Sequence, residues 1–321
     1  MNPLAAIFGA TVATRNLLYD RGLLPLRRLA GPVISIGNLS VGGTGKTPFL
    51  ILLGELLKKR GICFDVLSRG YRRETSGVLE VDAAGSAARF GDEPLLIARK
   101  LGVPVVLGEE RHEAGVYAER KFGPQLHLLD DGFQHRSLYR DFDIVLVTAD
   151  DARDRILPAG RLREPLSALS RADAVVLTAE ATADSFPVTG KLVWRVHRGI
   201  APAHVSSRPV AFCGIARPQS FLMQLRTAGI QPAAEATFQD HHRYTEKDMN
   251  DLLNLKDRSE ADGFVTTEKD AINLGEHLYR LVSLSVVPVR MDLLDANNAV
   301  DTMLRTVEER RRKHEKIVNA I

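Results

Sequence analysis

Eight residues that follow a short apolar run carry the most specific chemistry in the sequence. They are Ser40, Val41, Gly42, Gly43, Thr44, Gly45, Lys46 and Thr47. They lie between the apolar run 33–36 and a segment with helical periodicity, which is the context of a phosphate-binding loop. The loop's backbone N–H groups would cradle phosphate oxygens, Lys46 would reach the β- and γ-phosphates, and Thr47 would ligate Mg²⁺. The alternative is a turn of small residues that happens to end in Gly-Lys-Thr, and Ser40 does stand where the general pattern has glycine.

A second candidate half-site is the pair of carboxylates that ends a later apolar run. Asp130 and Asp131 follow Leu126-His127-Leu128-Leu129, as expected of a strand whose terminal acid holds Mg²⁺ directly or through water. The alternative is that the paired acids simply cap a strand in solvent. The loop 132–136 behind them would lie at the carboxyl end of the sheet, where ligands bind in open α/β sheets.

Four further residues could serve phosphoryl chemistry but are ambiguous by themselves. Asp92 opens a predicted helix, where an N-cap aspartate is usually structural. Arg111 follows a strand end, and Arg163 and Glu164 lie together in the segment 161–165. Arginine suits a phosphate or a developing phosphoryl charge and glutamate suits Mg²⁺, although a surface ion pair explains Arg163 and Glu164 equally well.

The second half of the chain adds two polar clusters. Asp240 precedes the adjacent histidines His241 and His242, which cannot both face one metal from a regular helix. A zinc site is therefore weakly supported, whereas an Asp/His pair that assists proton transfer is chemically sensible. The other cluster, 266–270, follows a strand and has no mechanism that its sequence alone suggests.

Composition excludes several classes of protein. The 321 residues are 45% hydrophobic and 26% charged, as in a globular protein with room for two domains. The net charge of +3 is too small to indicate nucleic-acid binding. Cys63 and Cys213 lie far apart without metal-ligand spacing, and we expect both to be small buried hydrophobes.

The first thirty residues combine apolar side chains with arginines. This segment contains four arginines and a single acidic residue, Asp20, and apolar residues recur among them. The arginines are Arg15, Arg21, Arg27 and Arg28. No apolar segment is long enough to span a bilayer, and we predict no signal peptide. A helix that lies on an anionic membrane surface fits this composition, and a helix packed on the protein's own core fits it equally well.

The order of elements predicts the fold class. Short apolar strands alternate with helical segments, which is typical of a parallel sheet with helices on both faces. We expect an N-terminal amphipathic region in 1–30, a P-loop kinase domain in 31–190, and a second, smaller α/β domain in 191–321. The last would contain the linker strands and a C-terminal helix.

Taken together, these stretches resemble the tetraacyldisaccharide 4′-kinase family of lipid A biosynthesis. The matching segments run in family order over most of the chain. They are Gly37-Asn38-Leu39-Ser40-Val41-Gly42-Gly43-Thr44-Gly45-Lys46-Thr47-Pro48, Leu67-Ser68-Arg69-Gly70-Tyr71, Gly91-Asp92-Glu93-Pro94, Asp130-Asp131-Gly132-Phe133-Gln134-His135, Gly160-Arg161-Leu162-Arg163-Glu164-Pro165, Asp240-His241-His242 and Thr267-Glu268-Lys269-Asp270. Each piece is unspecific, but the combination is highly specific, and Ser40 is what this family has at that position.

The resemblance implies an activity, a fold and a location. The ATP γ-phosphoryl group would pass to the 4′-hydroxyl of a tetraacylated glucosamine disaccharide 1-phosphate, with ADP released. The fold would be a P-loop NTPase-like α/β/α sandwich joined to a smaller α/β unit by a two-stranded linker that permits closure. The protein would work at the cytoplasmic face of a Gram-negative inner membrane, where its lipid substrate resides.

The resemblance also assigns roles to the ambiguous residues. Asp92 would be the general base, assisted by either His241 or His242. Arg111 and Arg163 would stabilise phosphoryl charge. The Mg²⁺ neighbourhood would consist of Thr47, Asp130, Asp131 and Glu164.

Two rival classes remain open at this stage. A P-loop switch or assembly ATPase would explain the loop and the acids but gives no role to Asp92, the histidines or the basic amphipathic N-terminus. The second rival is a soluble kinase for a small metabolite. The sequence indicates neither the acyl-chain preference nor the oligomeric state.

Overall fold

The computed structural model of this chain describes residues 3–178 and 180–318. The α-helices are α1 (Pro3–Asp20), α2 (Lys46–Lys59), α3 (Ala87–Phe90), α4 (Asp92–Leu101), α5 (Arg111–Phe122), α6 (Pro218–Thr227), α7 (Glu246–Arg258), α8 (Glu268–Leu274) and α9 (Ala296–Val318). The strands are β1 (Val33–Asn38), β2 (Phe64–Ser68), β3 (Leu79–Glu80), β4 (Val105–Leu107), β5 (Leu126–Asp130), β6 (Phe142–Val147), β7 (Ala174–Thr178), β8 (Leu192–Ile200), β9 (Pro209–Cys213), β10 (Ala234–Thr237), β11 (Gly263–Thr267), β12 (Leu284–Val287) and β13 (Val289–Leu293). Short 3₁₀ helices cover Ala149–Arg153, Leu166–Arg171, Ala183–Ser185 and Gly275–Arg280.

The larger sheet has nine strands in the order β13-β8-β7-β6-β1-β5-β2-β4-β3. Its seven inner strands are parallel, and only the edge strands β13 and β3 pair antiparallel with their neighbours. Every residue of β1, β2, β5 and β6 is buried, as expected for strands covered by helices on both faces. The expected α/β fold is therefore present. Because β1 and β5 are adjacent, the residues that follow them share one edge of the sheet.

The smaller sheet has four parallel strands in the order β10-β9-β11-β12. The predicted boundary at residue 190 stays a prediction, and the observed packing departs from it in two places. Strands β8 and β13 extend the larger sheet. Ala299, Val300, Met303 and Val307 of α9 belong to the hydrophobic core of the larger sheet. Residues from both ends of the segment 191–321 thus complete the P-loop unit, because their apolar side chains are buried there.

The N-terminal helix α1 adds no buried side chain to either core. Leu4, Ile7 and Leu17 are exposed to 62%, 65% and 46%. The contacts that hold α1 are largely polar: Asn16 Nδ2 donates to Glu164, and Arg136 forms an ion pair with Asp20. Within the described residues, no helix is both long enough and apolar enough to cross a membrane. An apolar surface therefore remains on α1 after the protein has folded.

The two cysteines differ in environment. Cys213 at the end of β9 is buried, and burial raises the pKa of its thiol to about 12. Cys63 is exposed, so the expectation that both are buried is wrong for this residue. It precedes the first residue of β2, where the chain enters the sheet from the surface.

Candidate active site

The predicted phosphate loop connects β1 to α2 and turns on three glycines. Gly42, Gly43 and Gly45 have φ angles of 76°, 60° and 89°, which side chains with a Cβ rarely adopt. Asn38 at the end of β1 fixes the loop from inside, since its Nδ2 donates to the Ser40 carbonyl at 2.7 Å and the Thr44 hydroxyl at 2.8 Å. The loop is therefore held open by a side chain that the motif does not include.

The backbone contacts and φ angle of Ser40 explain why this position does not need the glycine of the general pattern. It forms an antiparallel bridge with Leu162, next to hydrogen bonds from Val41 N to Arg161 O and from Arg163 N to Leu39 O. Its φ is not positive, so the position does not require glycine. The same bridge brings the segment around Arg163 against the phosphate loop.

Lys46 is the first residue of α2, and its side chain reaches the residue that follows β5. Its Nζ donates to Asn38 Oδ1 at 2.9 Å and lies 3.4 Å from Asp131 Oδ1. Arg163 forms a two-pronged pair with the same carboxylate, with both N···O distances at 2.8 Å. Burial opposes ionisation of Asp131, but these two cations hold the pKa of its carboxyl well below the ordinary value. Asp131 is thus an anion that positions the two cations.

Asp130 has the opposite electrostatic environment although it is the adjacent residue. It is 4% exposed, and one of its oxygens accepts from Ser68 Oγ at 2.8 Å while the other has no partner among the described residues. Burial, together with the charges of Glu93 and Asp131, raises the pKa of Asp130 to about 7. The positive charge of Lys46 acts in the opposite direction but does not outweigh these effects.

The donors near Lys46 suit Mg²⁺. The unpartnered oxygen of Asp130 and the hydroxyl of Thr47 are hard oxygen ligands beside the phosphate loop. In the described part of the chain, no three acidic, histidine or cysteine side chains are grouped to hold a metal by themselves. That arrangement fits Mg²⁺, which proteins hold through one or two carboxylates while substrate phosphates complete the shell.

The structure does not bring Glu164 to this cavity, which corrects its expected place in the Mg²⁺ neighbourhood. Its carboxylate is completely buried, accepts from Asn16 Nδ2 at 2.7 Å, and pairs with Arg171 at 2.9 Å. Arg163 faces the site and Glu164 faces away, since adjacent residues of an extended segment point to opposite sides. Glu164 fastens α1 to the larger unit.

Asp92 and His241 form a pair that joins the two units. Asp92 is not the N-cap of α4, which is Gly91, but its first helical residue. His241 Nδ1 lies 2.8 Å from Asp92 Oδ2 and donates to it, an assignment made from the hydrogen-bond pattern. Burial raises the pKa of Asp92, but the bond from His241 and the nearby Lys269 outweigh it and lower the pKa to about 2.

Two residues of α8 complete this pair: Lys269, which belongs to the polar cluster 266–270, and Asn273, which the sequence did not single out. Asn273 Nδ2 donates to Asp92 at 3.1 Å, and Lys269 Nζ lies 3.2 Å from His241 Nε2. Lys269 also approaches Asp92, Glu93 and Asp240 at 3.3–3.7 Å. The 266–270 cluster thus acquires a role, because Thr267 caps α8 and so presents the Lys269 amine to the Asp92–His241 pair.

His242 lies outside this cluster, so the positions of the two histidines favour His241 as the partner of Asp92. Its Nε2 lies 3.1 Å from Asp248, and its ring stacks on Phe238. His241 has a left-handed φ of 60°, which turns successive side chains in different directions. The expected catalytic role of His242 is not supported by this geometry.

Arg111 begins α5 and is 6% exposed. It faces the carboxylates Asp130 and Asp131, and its Nη1 donates to the Glu109 carbonyl. Burial and the neighbouring Arg69 lower the pKa of Arg111, although the guanidinium remains a cation at neutral pH.

One cavity of about 1290 Å³ is lined by all of the site residues that the sequence predicts except Glu164 and His242. It is lined by the whole phosphate loop from Ser40 to Thr47 and by Asp92, Arg111, Asp130, Asp131, Arg163, His241 and Lys269. The larger unit supplies the phosphate-binding side, and the smaller unit supplies His241 and Lys269. This is a site in which a triphosphate and a hydroxyl acceptor can meet.

Comparison with known proteins agrees with this geometry. The family model described as Tetraacyldisaccharide-1-P 4′-kinase matches residues 1–308. A tetraacyldisaccharide 4′-kinase of Koribacter versatilis is 54% identical over 320 residues, which are 97% of this chain and 99% of that protein. The chain belongs to the tetraacyldisaccharide 4′-kinase family. The resemblance seen in the sequence is thereby confirmed, and family membership favours a kinase over a switch ATPase.

Similarity within the tetraacyldisaccharide 4′-kinase family extends to the fold. A family member from Aquifex aeolicus is 38% identical over 289 residues, which are 85% of this chain and 88% of that protein. A crystal structure of LpxK from Aquifex aeolicus in complex with ATP has a TM-score of 0.79 at 33% identity, covering 95% of this chain and 97% of that one. The expected P-loop α/β fold is confirmed.

Because the surroundings of Asp130 disfavour its charged form, we expect a neutral side chain at this position to make the folded protein more stable. A folded-state pKa near 7 against an ordinary 3.8 means that the folded protein binds the extra proton between these values, so stability falls as the pH rises through that window. We expect Asp130→Asn to raise the unfolding free energy above pH 7 by on the order of 2–4 kcal/mol. Urea unfolding of nucleotide-free protein from pH 4 to 8 measures this. Equal stabilities at pH 8 would contradict the prediction, and the two proteins should converge near pH 4.

Proposed function

We propose that this protein transfers the γ-phosphoryl group of ATP to the 4′-hydroxyl of a tetraacylated glucosamine disaccharide 1-phosphate and releases ADP. The observation that supports the proposal is a single cavity lined both by the Asp92–His241 pair and by Lys46 and the phosphate loop. A nucleotide switch needs no proton acceptor beside its γ-phosphate. A kinase that uses an alcohol as acceptor does need one.

The phosphate loop binds and orients the nucleotide. Its backbone N–H groups would hold the phosphate chain, and Lys46 would contact the β- and γ-phosphates. Arg163, held by Asp131, and Arg111 would face the charge that spreads over the transferred group. Thr47 and Asp130 would hold Mg²⁺, which neutralises phosphate charge when it is bound. When bound, it would also add positive charge beside the unpartnered oxygen of Asp130.

The proton of the acceptor hydroxyl would pass to the Asp92–His241 pair. A carboxyl whose pKa is about 2 is a weak base at neutral pH, and its oxygens already accept from His241, Asn273 and the Glu93 backbone. His241 Nε2 carries no proton in this arrangement, because Nδ1 donates to Asp92, and the ring borders the cavity. Lys269 Nζ, which lies 3.2 Å from Nε2, would have to turn away before Nε2 could accept the proton of the hydroxyl. We therefore propose His241 as the base and Asp92 as the group that orients it and stabilises the imidazolium, whereas the family resemblance implies Asp92 as the base, assisted by a histidine.

The acceptor's four acyl chains would keep it in a bilayer, so the protein must reach the membrane surface. We infer that α1 lies on the cytoplasmic face of a bacterial inner membrane, with the exposed side chains of Leu4, Ile7 and Leu17 toward lipid. Arg21, which is exposed, would add attraction to anionic headgroups. Leu23 and Leu26, exposed to 66% and 52%, continue the apolar surface beyond the helix.

Acceptor dependence tests the activity itself. We expect ADP release from ATP in detergent micelles to rise at least tenfold when a tetraacyldisaccharide 1-phosphate is present, because closing the cavity on the acceptor excludes water from the γ-phosphate. A coupled ADP assay, with radiolabelled lipid product separated in parallel, measures both. Equal turnover without acceptor would indicate a switch or assembly ATPase. Transfer to a soluble sugar, but not to the lipid, would indicate a small-metabolite kinase.

The adjacent histidines provide a matched pair of variants. We expect His241→Ala to lower kcat by about 10²–10⁴-fold with little change in the KM for ATP, since loss of a general base leaves nucleotide binding intact. His242→Ala should retain kcat within a few-fold, because that ring faces Asp248 and Phe238. Steady-state kinetics on both variants decides which histidine acts in catalysis, and their melting temperatures are the folding control. Equal losses in kcat would contradict the assignment.

The membrane role of α1 predicts a defect from a single surface change. We expect Ile7→Glu to reduce recovery with anionic phospholipid vesicles several-fold, because it places a charge on the exposed apolar surface without removing a buried contact. Val282→Glu, at a side chain 76% exposed in the smaller unit, is the matched control and should sediment as the unchanged protein does. Co-sedimentation at fixed lipid concentration gives the comparison. Unaltered recovery of Ile7→Glu would refute a surface role for this part of α1.

A further inference from the structure

Arg198 lies against the phosphate loop from the side opposite β1. It is on β8, paired in register with Met291 of β13, and it lines the main cavity. Its Nη1 is 4.0 Å from the point where Gly45 would carry a Cβ, and Met291 Cε is 3.0 Å from the same point. The guanidinium therefore faces the turn that precedes Lys46.

The Arg198 guanidinium has no compensating anion in the described part of the chain. Its Nε is buried without a hydrogen-bond partner, and no carboxylate lies within ion-pair distance of the group. The charge that faces it belongs to Arg217, another cation, and burial followed by this repulsion lowers the pKa of Arg198. Buried charges are normally paired, so this arrangement is costly unless an anion joins it.

Arg217 approaches the same loop at its neighbouring glycine. Its Cγ lies 2.8 Å from the Cβ position of Gly43, so its side chain packs directly on the loop backbone. Arg217 Nη1 pairs with Asp150 at 3.3 Å, and its Nε is buried without a partner. Asp150 is mostly exposed and is shared with Arg161, which leaves Arg217 only partly neutralised.

We propose that Arg198, supported by Arg217, binds the phosphate chain of the nucleotide from the side that the phosphate loop leaves open. Guanidinium groups recognise phosphate through strong charge-assisted hydrogen bonds, and the loop's N–H groups would hold the opposite oxygens. The nucleotide would then supply the anion that the two arginines lack. Because β8 leads into the smaller unit, bound phosphate would also tie that unit to the loop. The inference rests on the proposed use of ATP.

A series of nucleotides of increasing phosphate number tests this contact. Calorimetric titration of the full chain with adenosine, AMP, ADP and ATP, the last two with Mg²⁺, would be compared for the unchanged protein, Arg198→Met and Arg198→Lys. We expect Arg198→Met to weaken ADP or ATP binding by about 10- to 100-fold and adenosine binding hardly at all. Arg198→Lys should recover part of the loss, since it retains the charge but not the planar fork. Arg195→Met, an exposed arginine on the same strand, is the matched control and should bind every ligand normally.

Thermal unfolding separates a binding contact from a merely structural one. Removing an uncompensated buried charge should leave the melting temperature of nucleotide-free Arg198→Met equal to or above that of the unchanged protein, whereas its ATP-induced upward shift should shrink. A lower melting temperature with normal ATP affinity would overturn the proposal and make Arg198 structural. A normal ATP affinity with a raised KM for the lipid acceptor would overturn it in favour of an acceptor contact. Failure of the unchanged protein to bind ATP would refute the proposed function as well.

Discussion

The ion pair between Lys46 and Asp131 is the contact on which the rest of the site depends. It joins the first residue of α2 to the residue that follows β5, and it can form because β1 and β5 are adjacent parallel strands. Asn38 accepts from Lys46 and donates to the phosphate loop, while Arg163 holds the other side of Asp131. Asp131 adopts a left-handed φ of 49°, a conformation uncommon for a residue with a Cβ, and the surrounding charges maintain it. Its position therefore decides where both cations point.

The site holds groups of both signs that have atoms without a direct partner among the described residues. Asp130 is a buried carboxyl with an unpartnered oxygen, and Arg198 is a guanidinium whose nearest charged neighbour is another cation. Each is unfavourable alone, yet the defects are complementary to one ligand: a metal cation would compensate Asp130, and a phosphate chain would compensate Arg198. A nucleotide with Mg²⁺ carries both. Binding of such a ligand would therefore stabilise the folded protein, because the ligand would compensate both groups at this edge of the sheet.

The sequence predicts a site residue correctly when the local sequence pattern also predicts its position, such as the end of an apolar strand. The phosphate loop and Asp130 were found because each follows an apolar strand, so the backbone alone places them. Glu164 was misplaced because its neighbour Arg163 does face the cavity, and one residue of shift reverses the direction of a side chain in extended backbone. Asn273 and Arg198 carry no local signal, and the polar cluster 266–270 marked Lys269 without a role, because helix α8 and strand β8 reach the site through tertiary packing. The sequence could show that a polar cluster existed but not which distant carboxylate it would meet.

The division of the site between two units makes catalysis depend on their contact. Asp92 belongs to the larger unit and His241 to the smaller, so the proposed base is assembled only when the two touch. Arg72 donates to the Asp240 carbonyl, and Arg243 pairs with Glu74, so arginines from both sides hold the contact beside the catalytic pair. These bonds are exposed and individually weak, which permits opening for exchange of lipid and nucleotide. Because Asp92 and His241 come from different units, any change in the contact between the units would also change the orientation of the proposed base.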